Sequence, residues 1–283
     1  MKKILDSIVI VACLLAGVTG VFAFSATDSY VNDVRVHMLD VGQGDAFLIE
    51  SPSGAQMLID TGPPGKLLEP LQAVMDSTDR YIDVVLLTHP DNDHTGSTPE
   101  LLERYDIGVI VQSPASCGKN VCSIIDELAL AYGVATTTVS FGSQINLGNG
   151  VYFDVLWPLE DAGEADNDTS IVGILSYGEA DMMFTGDASR SVEEYLVGMW
   201  GASLDVEVLK VGHHGSKTAT SANFLSATTP TLALISAGLN NSYGHPHADV
   251  LTRLIGATDE IIETTERGTA TLYSGGIDWL VQN

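Results

Sequence analysis

The sequence predicts an α/β protein in which two mixed β-sheets pack together with helices on the outside. Short apolar runs of strand type alternate with amphipathic stretches from Val34 to the C-terminus, in both halves and without evident sequence repetition. No low-complexity linker interrupts the chain after Asp33, so residues 34–283 are expected to form one domain. With 45% hydrophobic residues in 283, that domain can bury a sizeable core.

Taken in order, Val34, Val36 and Met38 alternate with polar residues as in a half-buried strand, and Ala46 to Ile49 and Met57 to Ile59 read as the next two. Ser51-Pro52-Ser53-Gly54 is the turn between those two. A helix is expected over Leu67 to Asp76 and a strand over Asp83 to Leu87. Thr98-Pro99 then opens a helix, with Thr98 as N-cap and proline in the first turn, where its missing N–H is not needed. A strand at Ile107 to Val111, a loop carrying two cysteines and a helix near Ser123 to Tyr132 complete this half. The second half reads as strands at 136–139, 151–156, 171–176 and 182–184, a helix over 191–199, strands at 206–211 and 232–236, a helix over 249–255, and strands at 260–264, 269–273 and 277–281.

The formal net charge is -25, from 37 acidic against 12 basic residues. That excludes a basic nucleic-acid clamp: a polyanion would be repelled at low salt and has to be held by local cations, whether metals or a few placed Lys and Arg. Met1-Lys2-Lys3, an apolar run from Ser7 to about Phe24 and the small or aliphatic residues Val21 and Ala23 at the two positions a signal peptidase inspects predict an export segment over residues 1–24, cleaved as a signal peptide or kept as a membrane anchor, with 25–33 as a short linker. The expected location is therefore secreted, periplasmic or extracellular, with membrane contact only through that segment. Outside the cytoplasm Cys117 and Cys122 either close a small disulfide loop or remain loop thiols.

Chemistry concentrates in the loops that follow apolar strands. Thr88-His89-Pro90-Asp91-Asn92-Asp93-His94 places four metal-ligand side chains within six residues, which is more than a polar turn needs. Of the 7 histidines, all but His37 lie in such loops: His89 and His94, His213 and His214, His245 and His247. Gly186-Asp187 ends another apolar strand with a tight turn and a carboxylate, and one carboxylate can bridge two cations. Gly42-Gln43-Gly44-Asp45 lacks the third glycine of a dinucleotide fingerprint and leads into a strand, so its expected job is a tight turn that brings backbone or Asp45 toward the site.

Together, the His89-x-Asp91-x-Asp93-His94 loop, Asp60 closing an earlier strand, Gly186-Asp187 and the later histidine loops resemble the metallo-β-lactamase superfamily. Leu39 to Ala46, Leu58 to Gly62, Val211 to Ser216 and Asn241 to His247 resemble, within it, the hydrolase domain of the ComEC competence family. The resemblance runs from about Val34 to the C-terminus. It implies an αβ/βα four-layer sandwich with a metal site at one edge between the sheets, and a metal-held hydroxide as the attacking group. The chain departs from the superfamily's usual His-x-His-x-Asp-His loop at Asp91, and no histidine lies between His94 and Asp187, where Asn167-Asp168 stands instead. More oxygen and less nitrogen favours one or two Mn²⁺ or Mg²⁺ ions over Zn²⁺, with Mn²⁺ first.

On that resemblance, His89, Asp91 and Asp187, helped by Asp168, are expected to hold one metal. Asp93, His94 and Asp187 are expected to hold a second, completed by His213 or His214, with His245 the next choice. Asp93, His214 and His245 are the candidates for catalytic roles, the histidines as proton donors to the leaving oxygen. Asp60 would orient a ligand, and Ser216, Lys217, Asn241 and Tyr243 are near enough to touch a phosphate. The expected substrate is a phosphodiester, DNA in the manner of the ComEC domain; the alternatives are a small-substrate phosphodiesterase such as a phosphorylcholine esterase, a β-lactamase, or an exported binding module without catalysis. The sequence identifies no protein partner.

Overall fold

The computed structural model describes residues 32–282 except Ala162 and Ala165, together with the backbone of a two-residue strand, β1 (Val21–Phe22). Apart from β1, the export segment or anchor expected over 1–24 and most of the linker expected over 25–33 lie outside the described residues. Among the described residues, no helix is long and apolar enough to cross a membrane.

The first half contributes β2 (Val34–Met38), β3 (Phe47–Glu50), β4 (Gln56–Ile59), β5 (Tyr81–Leu87), β6 (Asp106–Gln112) and β7 (Ala135–Thr138), with helices α1 (Leu68–Val74), α2 (Asn92–Thr95), α3 (Thr98–Arg104) and α4 (Asn120–Tyr132). The second half contributes β8 (Gln144–Gly148), β9 (Val151–Trp157), β10 (Val172–Tyr177), β11 (Ala180–Phe184), β12 (Val208–Lys210), β13 (Leu232–Ile235) and β14 (Glu260–Glu263), with α5 (Arg190–Trp200), α6 (Ala222–Thr228), α7 (Ala248–Ile255) and α8 (Thr264–Arg267). The last strands, β15 (Ala270–Ser274) and β16 (Trp279–Val281), return to the first sheet, whose order is β16-β15-β2-β3-β4-β5-β6-β7. The second sheet runs β1-β8-β9-β10-β11-β12-β13-β14.

Strand alternation divides the apolar side chains between layers. On β4, Met57 and Ile59 point between the sheets while Leu58 points out toward the helices. The inter-sheet core takes Val36, Phe47 and Val84 from one sheet and Phe153, Met182 and Leu234 from the other, and Phe47 meets Phe184 edge to face at 5.4 Å. Leu71 of α1, Leu101 of α3 and Ile125 of α4 cover the outer face of the first sheet. Val192 and Leu196 of α5, Phe224 of α6 and Val250 of α7 cover the second. The result is the helix–sheet–sheet–helix layering that the sequence predicts.

Differences from the sequence reading are local. Strand β8 was not anticipated, because its Gln144 and Asn146 read as loop residues; they alternate with buried Ile145 and Leu147. Helix α6 was also missed, since Ala222 to Thr228 carries few strong helix formers; burial of Phe224 and Leu225 and capping by Ser221 on the Phe224 amide at 3.2 Å fix it. Thr98 is the first residue of α3 and not its cap. Ser97 holds the cap position, and the Thr98 hydroxyl is drawn inward to Thr61 at 3.0 Å.

The topology puts the chemistry at one edge. β4, β5 and β6 are parallel in one sheet, and β11, β12, β13 and β14 are parallel in the other. Loops leaving the C-terminal ends of parallel strands emerge on the same side, which is where open α/β sheets place ligands.

Candidate metal centre

Asp45, His94, Asp187 and His214 are all buried, and each offers a donor atom within 4.8 Å of the others. They come from four places in the chain: the turn before β3, helix α2, the turn after β11, and the turn after β12. Gly44 allows the first of these approaches. Its φ is +146°, and a Cβ there would collide with the Asp93 carbonyl, which accepts from the Asp45 amide at 3.2 Å. Gly186, at φ +50°, similarly lets the Asp187 turn pass Ser170, where a Cβ would come within 2.8 Å of the serine side chain.

The paired histidines are held in an unusual backbone. His213 and His214 both lie in the left-handed region, at φ 50° and 54°. That conformation costs roughly 1–2 kcal/mol per non-glycine residue. It separates the two rings: His214 points into the buried centre with 1% of its side chain exposed, and His213 stands at its margin with 26% exposed. Asp60, also left-handed at φ 58°, lies beneath His94. It accepts from the Thr88 amide and hydroxyl at 2.8 and 2.7 Å and from His94 Nδ1 at 2.7 Å.

Asp187 links two groups of donors. Its Oδ1 is 3.3 Å from His94 Nε2; its Oδ2 is 3.5 Å from both His213 and His214 Nε2 and 4.0 Å from His89 Nε2. Asp93 Oδ2 adds an oxygen 3.4 Å from His214 Nε2, and Asp91 Oδ2 lies 3.9 Å from His89 Nε2. The other Asp91 oxygen is paired with Lys119. His214 thus lies with His94 and Asp93, the His89 ring lies against His94 with centroids 4.1 Å apart, and the His245 ring is one layer out, 5.6 Å from His213 and 6.3 Å from His214.

The donor set fits a cation. Asp45 Oδ1, His89 Nε2, Asp187 Oδ1 and His245 Nδ1 are buried without a hydrogen-bond partner, an arrangement that is costly for polar groups unless a positive charge satisfies them. Imidazole nitrogens with several carboxylate oxygens form a mixed set that suits Mn²⁺, Zn²⁺ or Mg²⁺.

Charges inside the centre are set by burial and by one another. Burial works to raise the Asp187 and Asp45 carboxyls, but His214 and His94 hold Asp187 well below the usual range, and Lys210 with His214 and His94 does the same to Asp45. Burial works to lower His214, and Asp187 and Asp45 overcome it, lifting it to about 9. His94 is raised well above its ordinary value by Asp187 and Asp60 against the same burial. Desolvation pushes His89 well down, and with His214 and His213 nearby it lowers His245 to about 4.

Lys210 was missed in the sequence. It is 1% exposed, pairs with Asp45, donates to the Gly186 carbonyl at 2.8 Å and lies 3.8 Å from Asp187 Oδ1. Its signal was a lysine inside the apolar run Val208-Leu209-Lys210-Val211, where a charge must have a buried partner. Asp45, brought toward the site by the sequence reading without a ligand role, is part of the buried group.

Other predicted residues fall at the margin. The Asp168 carboxylate, expected to help the first metal, accepts instead from the Ser189 amide at 3.1 Å, and it is Asn167 whose side chain faces His213, at 3.3 Å. Ser216 bonds Thr218 at 2.9 Å, and the side chain of Lys217 is exposed. Asn241 was expected to contact a phosphate, but both ends of its amide are used within its own loop. Tyr243 is exposed beside His245. Cys117 and Cys122 form a disulfide with Cα atoms 6.3 Å apart, in the loop that carries Lys119.

Comparison with known proteins agrees with the fold. Residues 39–238 match the family model described as the metallo-beta-lactamase superfamily. The chain is 30% identical over 254 residues to ComE operon protein 3 of Bacillus subtilis, covering 83% of this chain and 32% of that protein. It is 30% identical over 225 residues to competence protein ComA of Neisseria gonorrhoeae, covering 79% and 30%. The chain thus spans about a third of the length of these curated relatives. Among solved structures, the metallo-beta-lactamase fold protein YhfI of Bacillus subtilis superposes with a TM-score of 0.52 at 12% identity, over 81% of this chain and 95% of that one.

Proposed function

Because this chain belongs to the metallo-beta-lactamase superfamily, we propose that it is a metal-dependent hydrolase of phosphodiesters, with DNA among its substrates, acting outside the cytoplasm. The observation that carries the reading is the seat of Asp187, buried among four histidines, with His94 at its Oδ1 and His89, His213 and His214 around its Oδ2. His94, His214, Asp93, Asp45 and Asp187 would hold one divalent ion, and His89, Asp91, His213 and Asp187 would hold another. Divalent ions there would supply an activated water at neutral pH and neutralise charge on the phosphoryl oxygens.

The chain's own residues divide the remaining work. The Nδ1–H of His214 is committed to the Ser236 carbonyl at 2.9 Å, so its other nitrogen is a donor to the cation and not a source of protons. Asp93, with 31% of its side chain exposed, is the residue assigned to orient an attacking water. His245, in the outer layer and neutral above about pH 4, is the residue assigned to the leaving oxygen, as a hydrogen-bond donor through its ring N–H. Oxygen-rich donors, with Asp91 in place of a histidine, support phosphoryl over lactam chemistry. The disulfide supports an oxidising compartment.

A net charge of -25 favours a second reading, a small-substrate phosphodiesterase, because long DNA would be repelled. The test is hydrolysis by purified protein stripped of metal and reconstituted separately with Mn²⁺, Mg²⁺ and Zn²⁺, with Asp187→Ala as control. Substrates are single- and double-stranded DNA, bis(p-nitrophenyl) phosphate and a chromogenic cephalosporin. Manganese-dependent cleavage of DNA that is lost in Asp187→Ala is the expected result. Turnover of the small diester alone would select the second reading, and zinc-dependent cephalosporin cleavage would overturn both.

A further inference from the structure

We propose that the loop from Gly238 to His247 is a stacking platform for a nucleobase of the substrate, with the outer face of Tyr243 as its surface. This rests on the phosphodiester reading and narrows it to substrates that carry an unstacked base.

Tyr243 is 64% exposed and Leu239, on the same loop, is 76% exposed. The loop that displays them is fixed. The Asn241 amide nitrogen donates to the Gly238 and His245 carbonyls at 2.9 and 2.5 Å, and its oxygen accepts from the Tyr243 and His245 amides at 3.1 and 2.9 Å. The Gly238 amide donates to the Gln43 side chain at 3.1 Å, which ties the loop to the turn that delivers Asp45. Apolar surface displayed on a pinned loop loses little conformational freedom when a ligand covers it.

The position of the ring is the second observation. Tyr243 lies beside His245, with centroids 5.6 Å apart and planes 23° apart, and most of it remains exposed. His245 in turn lies 5.6 Å from His213 and 6.3 Å from His214. A series of rings thus leads from the metal centre to the surface, and a phosphate at the centre would set a neighbouring base at Tyr243.

Charge favours an uncharged contact. The protein has only 12 basic residues against 37 acidic, so little of the hold on a nucleic-acid strand can come from long-range attraction. Stacking on an aromatic face is indifferent to that repulsion and tolerates any base. It demands a base with a free face, as in a single strand or a frayed end, because bases within a duplex are covered on both sides.

The test is an anisotropy titration of the full chain, loaded with Mn²⁺, against two labelled oligomers with a cleavage-resistant phosphorothioate backbone. One carries thymines and the other is abasic, so the two match in charge. The expected result is tighter binding of the thymine oligomer, by about five- to a hundredfold. Tyr243→Ala should bring the ratio toward unity, and Tyr243→Trp should keep it. Equal binding of the two oligomers by the unaltered chain, a ratio unmoved in Tyr243→Ala, or no binding of either would overturn the platform. Hydrolysis of bis(p-nitrophenyl) phosphate judges the phosphodiesterase reading separately, since it needs no base.

Discussion

The Nε2 atoms of His94 and His214 face each other across 3.3 Å, and neither carries a hydrogen when its ring is neutral. His214 Nδ1 must hold the proton, because its partner is the Ser236 carbonyl, and His94 Nδ1 gives its proton to Asp60. Two lone pairs cannot hold that separation by themselves. A proton or a metal ion has to lie between them, and the neighbouring Asp187 and Asp45 carboxylates attract either one.

Protons and metal therefore compete. With His214 lifted to about 9 and His94 also raised, a divalent ion must displace protons at neutral pH. Its affinity should rise with pH, about tenfold per pH unit for each proton displaced, until His214 is neutral. Calorimetry of Mn²⁺ binding in buffers of different ionisation enthalpy checks this; an affinity independent of pH would exclude the paired histidines as ligands.

The buried Lys210–Asp45 pair makes a stability prediction. Lys210→Met leaves Asp45 without its ammonium in a site that is 2% exposed, and should cost about 3–5 kcal/mol in the presence of a chelator. Adding Asp45→Asn should recover part of that loss, because the stranded charge is removed. Urea unfolding of both singles and the double gives the coupling, and strict additivity would mean that the two groups do not interact.

Away from the centre, burial raises the Asp83 carboxyl from 3.8 to about 6. Between those values the folded chain keeps a proton that the unfolded chain has released, so stability falls as pH rises through this window and the penalty is complete above it. Asp83→Asn keeps an acceptor for the Gln56 amide, now 2.8 Å from the carboxylate. It should stabilise the protein by about 1–2 kcal/mol near pH 7, allowing for residual hydration, and by nothing below about pH 4. Equal gains at both pH values in denaturant melts would refute the assignment.

Reduction of Cys117–Cys122 opens a loop whose ends are 5 positions apart. The chain-entropy model gives a loss of about 2 kcal/mol for so small a loop. Lys119, paired with Asp91 from within that loop, should lose its fixed position. A thermal melt with and without a phosphine reductant measures the first effect. Unchanged melting in a sample shown by thiol titration to be reduced would contradict it.

Much of this architecture is legible in the sequence because strands announce themselves locally. Val84 to Leu87 can be read from its own residues, and so can the ligand-rich loop that follows it. The exceptions are equally local in cause: β8 hides behind polar Gln144 and Asn146, and α6 depends on a core that only Phe224 and Leu225 reach after folding.

What the sequence by itself determined was the order of strands and helices, the layering, and the kinds of side chain delivered at each loop, since period and residue type are properties of neighbours. What only the tertiary structure decided was who meets whom. His94 and His214 are 120 positions apart, and the left-handed turn that sends His214 inward and leaves His213 at the margin has no signature in two adjacent histidines. Neither does the passage of Asp45 past Gly44 to meet Lys210 beneath Asp187. Charge states followed the same division, because a carboxylate or an imidazole takes its proton affinity from burial and from partners that the chain brings together only by folding.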